Sequence, residues 1–454
     1  NEIGEVSGIV VQFGGQTPLR IANKLKEYDY KILGTSFEAI DISEDREKFQ
    51  KLIFEIGLKQ PKSDISVGTK ELLNKSEKLN FPILLRPSYV IGGRMMEKMN
   101  NLSDVKDYID QNYWALENNV ILIDEFLKDA TEVDVDILRD NEGSVMIAGI
   151  MEHIEEAGIH SGDSACSIPT FSLNKNTINE IKQFTISLAN SLKTIGLMNV
   201  QYAVKDDEIY ILEANPRASR TIPFLAKAIG IPFIKIAASL IAGNSLNKEL
   251  LKIDTNVLPY YAIKEAVFPF NKFPNTDVIL GPEMKSTGEV MGIDKDFDMA
   301  FLKSQLASGQ RINNIKNIFI SVKDDDKEAI LAIVKELSEY EFNIYTTKGT
   351  NLFLKKNNID SIVINKVVEG SPHIVEYLGQ YKIDLVINTT EDKQAIRDSF
   401  TIRRTAVDLN VPYYTNLRSA KILCKSLIKL QNTDLEVKPI QKHHIYSNKN
   451  SFEF

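Results

Sequence analysis

One short stretch of the chain joins a predicted buried strand to four polar side chains. Residues 210–221 read YILEANPRASRT, so the apolar YIL runs directly into Glu213, Asn215, Arg217 and Arg220. Because side chains alternate between the two faces of a strand, Glu213 and Asn215 share one face. An acid and an amide followed by two arginines suit a divalent ion beside an oxyanion or a transferring phosphoryl group.

A predicted hairpin brings a third oxygen donor to this strand end. The sequence NVQYAVKDDEIYILEAN, residues 199–215, predicts two strands that turn at Asp206-Asp207 and place Gln201 roughly opposite Glu213. Hard oxygen donors on a rigid strand suit Mg²⁺, which takes its remaining ligands from water and nucleotide phosphates. The alternative is a solvated strand end, which explains a single acid more readily than five converging polar residues. We therefore predict Gln201, Glu213 and Asn215 as metal ligands.

Two further segments carry candidate nucleotide contacts. Arg86 ends an apolar strand before Gly92-Gly93 and Arg94, and glycines let backbone N–H groups approach phosphate oxygens closely, although such pairs also form plain turns. In the alternating segment EVDVD, Glu132 starts a strand from which it reaches a ribose hydroxyl. For Asp134 and Asp136 we expect the solvated acidic face of a half-buried strand.

The remaining candidates lie in a polar loop and in the C-terminal third. His160, in GIHSGDSACS, is either an anion or substrate donor or a surface residue. From about residue 310, strands and helices alternate, which predicts a second doubly wound sheet. Ligands bind beyond the carboxyl ends of such strands, so the residues there form either a phosphate pocket or ordinary turns. These residues are Thr347, Gly349, Thr350, Lys366, Asn388, Thr389 and Thr390.

Composition limits the classes of protein to consider. The 454 residues are 43% hydrophobic and 26% charged, an ordinary globular balance for two or three domains. A net charge of −8 gives no electrostatic case for nucleic acid or an anionic membrane as the main partner. No apolar run approaches the roughly 20 residues of a membrane helix. Cys166 and Cys424 are far apart, which argues against a disulfide framework or zinc cluster and fits a reducing compartment.

The pattern also predicts how the chain is divided into elements. A strand at Ile9–Val11 is expected to turn at Gly14-Gly15 into a helix capped by Thr17. One helix is expected from about residue 39 to Gly57, another at 176–195, and mostly helical structure over 221–309. The chain begins with Asn1, so we expect a piece of something longer.

Several long motifs together resemble one family. In order, QFGGQTPL, EDREKFQ, SYVIGGR, GIMEHIEEAGIHSGDSACS, EANPRASRT and GPEMKSTGEVMG resemble the second half of the large subunit of carbamoyl-phosphate synthase. The likeness is nearly collinear from the first residue to about residue 420. A strand and a glycine-rich turn that usually precede QFGGQ are absent, which implies a truncated first unit and a native chain about twice as long.

The resemblance implies a multidomain α/β and α+β fold. Its parts would be a truncated pre-ATP-grasp α/β unit (1–42), an ATP-grasp nucleotide-binding domain (43–240), a mainly helical connection (241–309) and a methylglyoxal-synthase-like allosteric domain with a doubly wound parallel sheet (310–454).

The implied activity is ATP-dependent phosphorylation of carbamate to carbamoyl phosphate with Mg²⁺ or Mn²⁺, in the cytoplasm, for arginine and pyrimidine biosynthesis. Expected partners are a small glutaminase subunit that supplies ammonia, the first synthetase half and a nucleotide effector, in an oligomer of heterodimers. Nucleic acid and membrane are not expected. Two alternatives stay open: another ATP-grasp carboxylase or ligase, and a catalytically silent nucleotide-binding regulatory module.

The resemblance also assigns roles to individual residues. Those implied to bind the nucleotide are Arg46, Arg86, Leu127, Glu132, Gly158, Ile159, His160, Ser161, Gln201 and Glu213. Arg217 and Arg220 would face the transferring phosphoryl group and carbamate. The implied nucleotide-effector pocket comprises Thr347, Gly349, Thr350, Lys366, Asn388 and Thr390. Glu155, Asp163 and Glu265 match acidic positions that bind ornithine in some bacterial members.

Overall fold

The structure is a computed structural model that divides the chain into two compact units. The residues it describes are 4, 6–87, 95–274, 276–390 and 393–444. The first unit comprises 1–153, 166–259 and 438–454, and the second comprises 154–165 and 260–437. Both units mix helices and strands, which confirms the predicted multidomain α/β and α+β class. The predicted phosphate-binding Gly92-Gly93 and Arg94 lie outside the described residues.

The N-terminal part of the first unit is a small α/β layer. Two strands pair in parallel, β1 (Ile9–Val10) and β2 (Ile32–Leu33). Between them lie α1 (Gln16–Arg20) and α2 (Ala22–Glu27). The prediction that Thr17 caps the first helix is wrong. Gly15, with φ +66°, precedes the helix in a conformation that glycine adopts readily, and the helix therefore begins at Gln16.

The next helical segment is broken where one continuous helix was predicted. It consists of α3 (Phe37–Glu44) and α4 (Arg46–Glu55). Asp45 between them is extended, and its side chain accepts a hydrogen bond from Lys48 N at 3.0 Å. Asp45 thus acts as the N-cap of α4 and ends α3. This break places Arg46 at the first position of a new helix.

A four-stranded antiparallel sheet follows, in the order β3–β6–β4–β5. Its strands are β3 (Ser63–Val67), β4 (Ile83–Pro87), β5 (Glu97–Met99) and β6 (Val120–Glu125). The helices are α5 (Gly68–Ser76) and α6 (Leu102–Leu116). Leu72, Ile83, Leu85 and Val105 form a buried core between sheet and helices. Burial of these apolar side chains fixes β4 and β6, which carry Arg86 and Asp124.

The largest antiparallel sheet of the first unit has the order β11–β10–β7–β8–β9. Its strands are β7 (Thr131–Arg139), β8 (Val145–His153), β9 (Cys166–Ile168), β10 (Gly196–Lys205) and β11 (Glu208–Asn215). The helix α7 (Lys175–Leu192) covers one face. Asp206 and Asp207 both have positive φ in a two-residue turn, which confirms the predicted hairpin.

Three α-helices follow β11 in the described part of the first unit. They are α8 (Thr221–Ile229), α9 (Phe233–Ile241) and α10 (Lys248–Leu251). Among the described residues, no single helix has the length and apolar character to cross a membrane. The helices α8 and α9 have sufficient length and apolar composition when they are taken together, but they are bent by 116° relative to each other.

The second unit begins with an antiparallel strand pair where mostly helical structure was predicted. The strands β12 (Tyr261–Val267) and β13 (Gly288–Asp294) pack on α11 (Phe297–Ala307). A Cβ at Gly292 would lie 2.2 Å from the Ala300 carbonyl oxygen, so the strand approaches the helix closely only with glycine there. The mainly helical prediction is therefore wrong over this strand pair.

The remainder of the second unit is a five-stranded parallel sheet in the order β16–β15–β14–β17–β18. Its strands are β14 (Asn317–Ser321), β15 (Asn343–Thr346), β16 (Ile362–Val363), β17 (Leu385–Asn388) and β18 (Tyr413–Tyr414). The helices are α12 (Lys327–Ser338), α13 (Lys348–Lys356), α14 (Ile374–Gly379), α15 (Lys393–Asp408) and α16 (Leu417–Leu430). This order, which reverses direction beside β14, confirms the predicted doubly wound sheet.

Candidate active site

The strand register gathers the predicted metal ligands on one face of the large sheet. Gln201 on β10 lies directly opposite Glu213 on β11 and opposite Asp134 on β7. Asn199 lies opposite Asn215, two positions further along the same strands. Residues in direct register share a face, so three adjacent strands present one polar patch. The predicted pairing of Gln201 with Glu213 is confirmed.

The opposite face of these strands is apolar, which explains why the polar face is fixed. Val133, Val135, Val200, Tyr202 and Ala214 are buried in one cluster with α4 and α7. A slip of one residue in the register would exchange the two faces and expose this cluster. Hydrophobic burial on one side therefore fixes the oxygen donors on the other.

The acidic residues in the middle of β7 are buried, so the prediction that they form a solvated face is wrong. Asp134 and Asp136 are 2% and 1% exposed. His153 Nε2 lies 2.9 Å from Asp134 Oδ2, and Asn199 Nδ2 donates to Asp136 Oδ1 at 3.1 Å. Buried carboxylates need such partners, and here neighbouring strands supply them.

Asp136 anchors the chain that follows β11. Its carboxylate accepts hydrogen bonds from the hydroxyls of Ser219, at 2.8 Å, and Thr221. Burial raises the pKa of Asp136 to about 6, although the hydroxyl hydrogen bonds oppose this effect. These contacts tie the segment that carries Arg217 and Arg220 to the sheet.

A hydrogen-bonded row extends from the metal-ligand candidates to the first predicted catalytic arginine. Asn215 Nδ2 donates to Glu213 Oε1 at 2.8 Å, and Arg217 Nη2 donates to Asn215 Oδ1 at 3.3 Å. Arg217 Nε donates to Gln16 Oε1 at 3.0 Å. Arg220 is exposed and precedes α8. The structure thus links Arg217 directly to the oxygen donors.

The donor set fits a divalent cation that prefers oxygen. No group of three or more His, Cys, Asp or Glu side chains with metal-binding geometry occurs among the described residues. An ion here would rely on the Glu213 carboxylate, on the amide oxygens of Gln201 and Asn215, and on ligand phosphates. This sparse protein contribution is typical of Mg²⁺ sites that include nucleotide phosphates.

The two arginines predicted to bind phosphates share one carboxylate. Asp124 on β6 accepts from Arg46 Nη2 at one oxygen and from Arg86 Nη2 at the other, the latter at 3.1 Å. All three side chains are partly buried. Sequence reasoning missed Asp124, although its position in the apolar strand VILIDE marked a polar residue that needs a partner. Asp124 fixes the spacing of the two guanidinium groups.

The other predicted nucleotide residues of the first unit lie at strand ends. Leu127 follows β6, is 9% exposed, and its carbonyl accepts from Ala130 N at 3.3 Å. Glu132 is half-buried near the start of β7, with its Oε2 at 3.6 Å from His153 Nδ1. Their roles toward adenine and ribose stay predictions.

Four predicted nucleotide residues, Gly158, Ile159, His160 and Ser161, belong to a loop of the second unit. The His160 backbone N–H donates to Gly281 O at 2.9 Å, and Gly162 N donates to His160 Nδ1 at 3.0 Å. Because Nδ1 is an acceptor, the neutral imidazole carries its hydrogen on Nε2. Lys264 Nζ donates to Ser161 O at 3.2 Å. The loop is therefore ordered by hydrogen bonds within itself and to Lys264 and Gly281, and its role in nucleotide binding stays a prediction.

The three acidic residues implied to bind ornithine already have partners within the second unit. Asp163 accepts from Lys285 N at 2.8 Å and from Ser286 N at 2.9 Å. Glu155 accepts from Ala165 N at 2.7 Å, and Glu265 accepts from the Gln305 amide. Burial, and secondarily the charge of Glu155, raise the pKa of Glu265 well above its usual range. Ligand binding by this group stays a prediction.

The predicted effector residues gather beyond the carboxyl ends of the parallel strands. Thr347 precedes α13, and its hydroxyl lies 3.4 Å from Ser321 Oγ at the end of β14. Thr350 is buried within hydrogen-bonding distance of Thr347, whereas Gly349 and Lys366 are exposed. Asn388 Nδ2 donates to Ser321 O at 3.2 Å.

One buried acceptor in this group lacks a partner in the described part of the chain. Asn388 Oδ1 is buried and makes no hydrogen bond to a described residue, and Thr390 beside it is half-buried. A buried acceptor of this kind beside other polar side chains is consistent with a ligand that donates to it. The effector itself stays a prediction.

Comparison with known proteins identifies the family. Three family models match: the carbamoyl phosphate synthase preATP-grasp domain at residues 2–42, the carbamoyl-phosphate synthase L chain ATP binding domain at 45–249, and the MGS-like domain at 329–415. The carbamoyl phosphate synthase large chain, C-terminal section, of Aquifex aeolicus is 45% identical over 453 residues. The alignment covers 96% of this chain and 84% of that protein. This chain belongs to the carbamoyl phosphate synthase large-chain family.

Other members of the carbamoyl phosphate synthase large-chain family are much longer. The large chains of Myxococcus xanthus and Archaeoglobus fulgidus are each 47% identical over 436 and 442 residues, respectively. Both alignments cover 96% of this chain but only 40% of the relative. The chain therefore spans less than half of the length of these relatives.

Solved structures support the ATP-grasp fold of this family. Biotin carboxylase from Campylobacter jejuni superposes with a TM-score of 0.52 at 16% identity, covering 67% of this chain and 75% of that one. The biotin carboxylase domain of Hydrogenobacter thermophilus 2-oxoglutarate carboxylase, solved with MgADP, ADP and bicarbonate, gives 0.50 at 14% identity. Its alignment covers 64% of this chain and 70% of that one. At such identities the likeness concerns the fold alone.

Proposed function

We propose that this chain phosphorylates carbamate to carbamoyl phosphate with ATP and Mg²⁺, as the second synthetase half of a carbamoyl phosphate synthase. The observation that carries the proposal is the polar sheet face on which Gln201, Glu213 and Asn215 adjoin Arg217. Membership of the large-chain family supports carbamate as the substrate in this proposal. The biotin carboxylase alternative is supported by the fold alone, at 16% identity.

Different side chains are positioned to contact different parts of the reacting phosphates. Arg46 and Arg86, spaced by Asp124, provide cationic donors for the nucleotide phosphates. Arg217 provides a forked donor for the equatorial oxygens of the transferring group. A bound Mg²⁺ at Glu213 would supply positive charge that neutralises phosphate oxygens.

The reaction itself needs no protein nucleophile. A carbamate oxygen attacks the γ-phosphorus in line, the new P–O bond forms as the bond to ADP breaks, and ADP leaves. Because charge spreads over the transferring group, positioning and electrostatic stabilisation account for the catalysis. Rigid strands and a fixed register meet this requirement better than a mobile loop.

Partners and regulation follow from the same proposal. A glutaminase subunit supplies ammonia to the first synthetase half, which makes the carbamate, and the product serves arginine and pyrimidine biosynthesis in the cytoplasm. Cys166 and Cys424 are buried and not joined in a disulfide, which is consistent with a reducing compartment. The parallel-sheet pocket around Thr347 and Asn388 binds a nucleotide effector in an oligomer of heterodimers.

The test is a comparison of phosphoryl donors in the reverse direction. Purified chain is incubated with MgADP and either carbamoyl phosphate or acetyl phosphate, and ATP is measured by a coupled assay. ATP formation that strongly favours carbamoyl phosphate supports the proposal. ADP release from ATP that depends on biotin, without ATP formation from carbamoyl phosphate, would contradict it and favour a carboxylase.

A further inference from the structure

We propose that Gln12 and Gln16 are positioning residues for Arg217, an inference that rests on the phosphoryl-transfer role proposed above for that arginine. Both glutamines lie in the segment matched by the preATP-grasp family model, whereas Arg217 lies in the segment matched by the ATP binding domain. All three belong to the first compact unit. The N-terminal layer would thus orient a side chain of the neighbouring domain.

Gln12 is hydrogen-bonded to the loop that carries Arg217 on both sides of that arginine. Its side chain is fully buried, and Nε2 donates to Pro216 O at 3.0 Å. Its backbone carbonyl accepts from Ala218 N at 2.9 Å. The residues before and after Arg217 are therefore both hydrogen-bonded to one glutamine. This arrangement fixes the direction in which the Arg217 side chain leaves the backbone.

Gln12 is itself held in place by a network of buried hydrogen bonds. Gln12 Nε2 also approaches Thr35 Oγ1 at 3.0 Å and Leu197 O at 3.2 Å. Thr35 Oγ1 in turn donates to Ile195 O at 3.0 Å and accepts from Ile195 N at 2.9 Å. The amide group of Gln12 thus ties the loop to the start of β10. Gln12 Oε1 is buried and makes no hydrogen bond to a described residue, so it is the contacts of Nε2 that orient the amide group.

Two glycines leave the space that this glutamine occupies. A Cβ at Gly34 would lie 2.6 Å from Gln12 Oε1, and one at Gly196 would lie 3.1 Å from the same atom. Both glycines also have positive φ, near +90°. A side chain at position 34 or 196 would crowd the Gln12 side chain, so glycine at both positions leaves room for it.

Gln16 contacts the guanidinium group of Arg217 directly. Its Oε1 accepts from Arg217 Nε at 3.0 Å, and its Nε2 donates to both carboxylate oxygens of Glu44, at 2.7 and 2.6 Å. Because Glu44 accepts hydrogen bonds only, it orients the amide so that Oε1 faces the arginine. Arg217 Nη2 is directed at the same time toward Asn215.

An arginine held at Nε in this way is preorganised for an oxyanion. The side chain has many rotamers, and ordering it before the reaction lowers the cost of aligning it with the transferring group. The glutamines are distant in sequence from Arg217 and do not belong to the donor set for the cation. Their removal should therefore impair the chemical step more than nucleotide binding.

The kinetic test compares matched variants in the reverse reaction with MgADP and carbamoyl phosphate. For Gln16→Ala and for Gln12→Met we expect kcat to fall roughly 10- to 100-fold, with the KM for ADP changed by less than about threefold. Gln16→Glu combined with Glu44→Gln retains an acceptor oxygen for Arg217 Nε without placing two carboxylates in contact, so this double variant should recover part of the lost rate. Lys26→Ala, which breaks a surface pair with Glu38 in the same layer, should stay within about twofold of wild type.

Because Gln12→Met removes buried hydrogen bonds, its stability needs its own control. Thr185→Val removes a buried hydroxyl of the same unit that is hydrogen-bonded to Ile181 O and to the Tyr202 hydroxyl and not to Gln12. Thermal unfolding should show a loss of stability in both variants, whereas only Gln12→Met should lose kcat. An equal loss of kcat in Thr185→Val would assign the effect to general destabilisation and overturn the role of Gln12.

A second readout does not depend on turnover. With arginine labelled at ¹⁵Nε, the Arg217 Nε–H signal is identified by its absence in Arg217→Lys, and its exchange with solvent is measured. We expect slow exchange in wild type and Lys26→Ala, and exchange more than about tenfold faster in Gln16→Ala, since a lost hydrogen bond exposes the N–H. Unchanged exchange together with unchanged kcat would overturn the proposal.

The two readouts separate the two proposals. If wild type forms no ATP, the proposed function fails for this chain, while faster Arg217 exchange in Gln16→Ala still supports the positioning role. If wild type is active but neither glutamine variant changes kcat or exchange, the positioning role fails and the proposed function stands.

Discussion

Gln201 and Glu213 face each other directly across the β10–β11 hairpin, with Asp134 on the other side of Gln201 in the same row. The oxygen donors of the site therefore come from adjacent strands whose opposite face is buried against α4 and α7. Hydrophobic burial sets the register, and the register sets the distance between donors. The geometry of the proposed site is in this way a consequence of core packing.

Asp124→Asn should weaken nucleotide binding, because one carboxylate fixes both Arg46 and Arg86. Loss of two hydrogen bonds to charged groups predicts about tenfold lower affinity for MgADP. Titration calorimetry measures the affinity, and Asp110→Asn on the exposed side of α6 serves as the control. Tighter binding in Asp124→Asn would contradict this prediction. It would show that the negative charge of Asp124 weakens phosphate binding by the two arginines more than its hydrogen bonds help to orient them.

Asp136→Asn should change how stability depends on pH. In the native state burial raises the pKa of Asp136 from 3.8 to about 6, so the folded protein binds a proton more readily than the unfolded chain. The contribution of Asp136 to stability therefore falls as the pH rises through this interval. Between about pH 5 and about pH 7.5 the variant should gain about 1 kcal/mol relative to wild type. Urea unfolding at both values measures this gain, and a pH-independent difference would contradict the assignment.

Asp277→Ala should destabilise the second unit. Arg403 is 1% exposed and donates to both Asp277 oxygens. Burial opposes the charged form of Asp277, but the hydrogen bonds and charge of Arg403 prevail and lower its pKa. The pair therefore stabilises the fold at neutral pH, and this contribution is lost as the pH falls through the native pKa.

Removing the carboxylate leaves Arg403 buried and unpaired, which costs about 3 kcal/mol. Native-state hydrogen exchange of α15 amides measures this loss. Asp398→Asn changes an exposed carboxylate on the same helix that accepts from Gln394, and it should cost less than about 0.5 kcal/mol. Equal losses of stability from the two substitutions would show that the burial of Arg403 does not increase the cost of removing its partner.

Lys366→Met should weaken the binding of a phosphate-bearing effector. Lys366 follows β16 at the carboxyl edge of the parallel sheet, where Asn388 Oδ1 is a buried acceptor without a hydrogen bond to any described residue. We expect about tenfold lower affinity for nucleoside 5′-monophosphates in calorimetry, because a cation that contacts phosphate is lost. Lys356→Met on the exposed end of α13 is the control. Equal affinities in all three proteins would exclude Lys366 from the pocket.

The sequence predicted most of what depends on local pattern. The β10–β11 hairpin, with Asp206 and Asp207 at its turn, and the doubly wound sheet both follow from periodicity and turn residues. The burial of Asp134 and Asp136 did not, because alternation cannot show that a second layer covers the polar face. The strands at 261–267 and 288–294 were missed because their pairing is non-local.

Contacts between distant segments account for the missed site residues. Asp124 gains its role only because α4 brings Arg46 to β6, 78 positions away in the chain. Gln12 and Gln16 gain theirs only because the N-terminal layer reaches Pro216 and Arg217. One feature of the sequence indicated these residues: a polar residue inside an apolar stretch requires a hydrogen-bond partner elsewhere in the fold.

The central claim is that Glu213 and its neighbours form the phosphoryl-transfer site, and the rate of ATP formation from MgADP and carbamoyl phosphate tests it most directly. Wild type is compared with Glu213→Gln and with Glu208→Gln, an exposed acid on the same strand that pairs with Lys59. We predict that Glu213→Gln retains its fold but loses more than about a hundredfold in rate, because the carboxylate that would hold the cation is gone. Glu208→Gln should stay within about twofold of wild type. Retained activity with an unchanged Mg²⁺ dependence in Glu213→Gln would contradict the account.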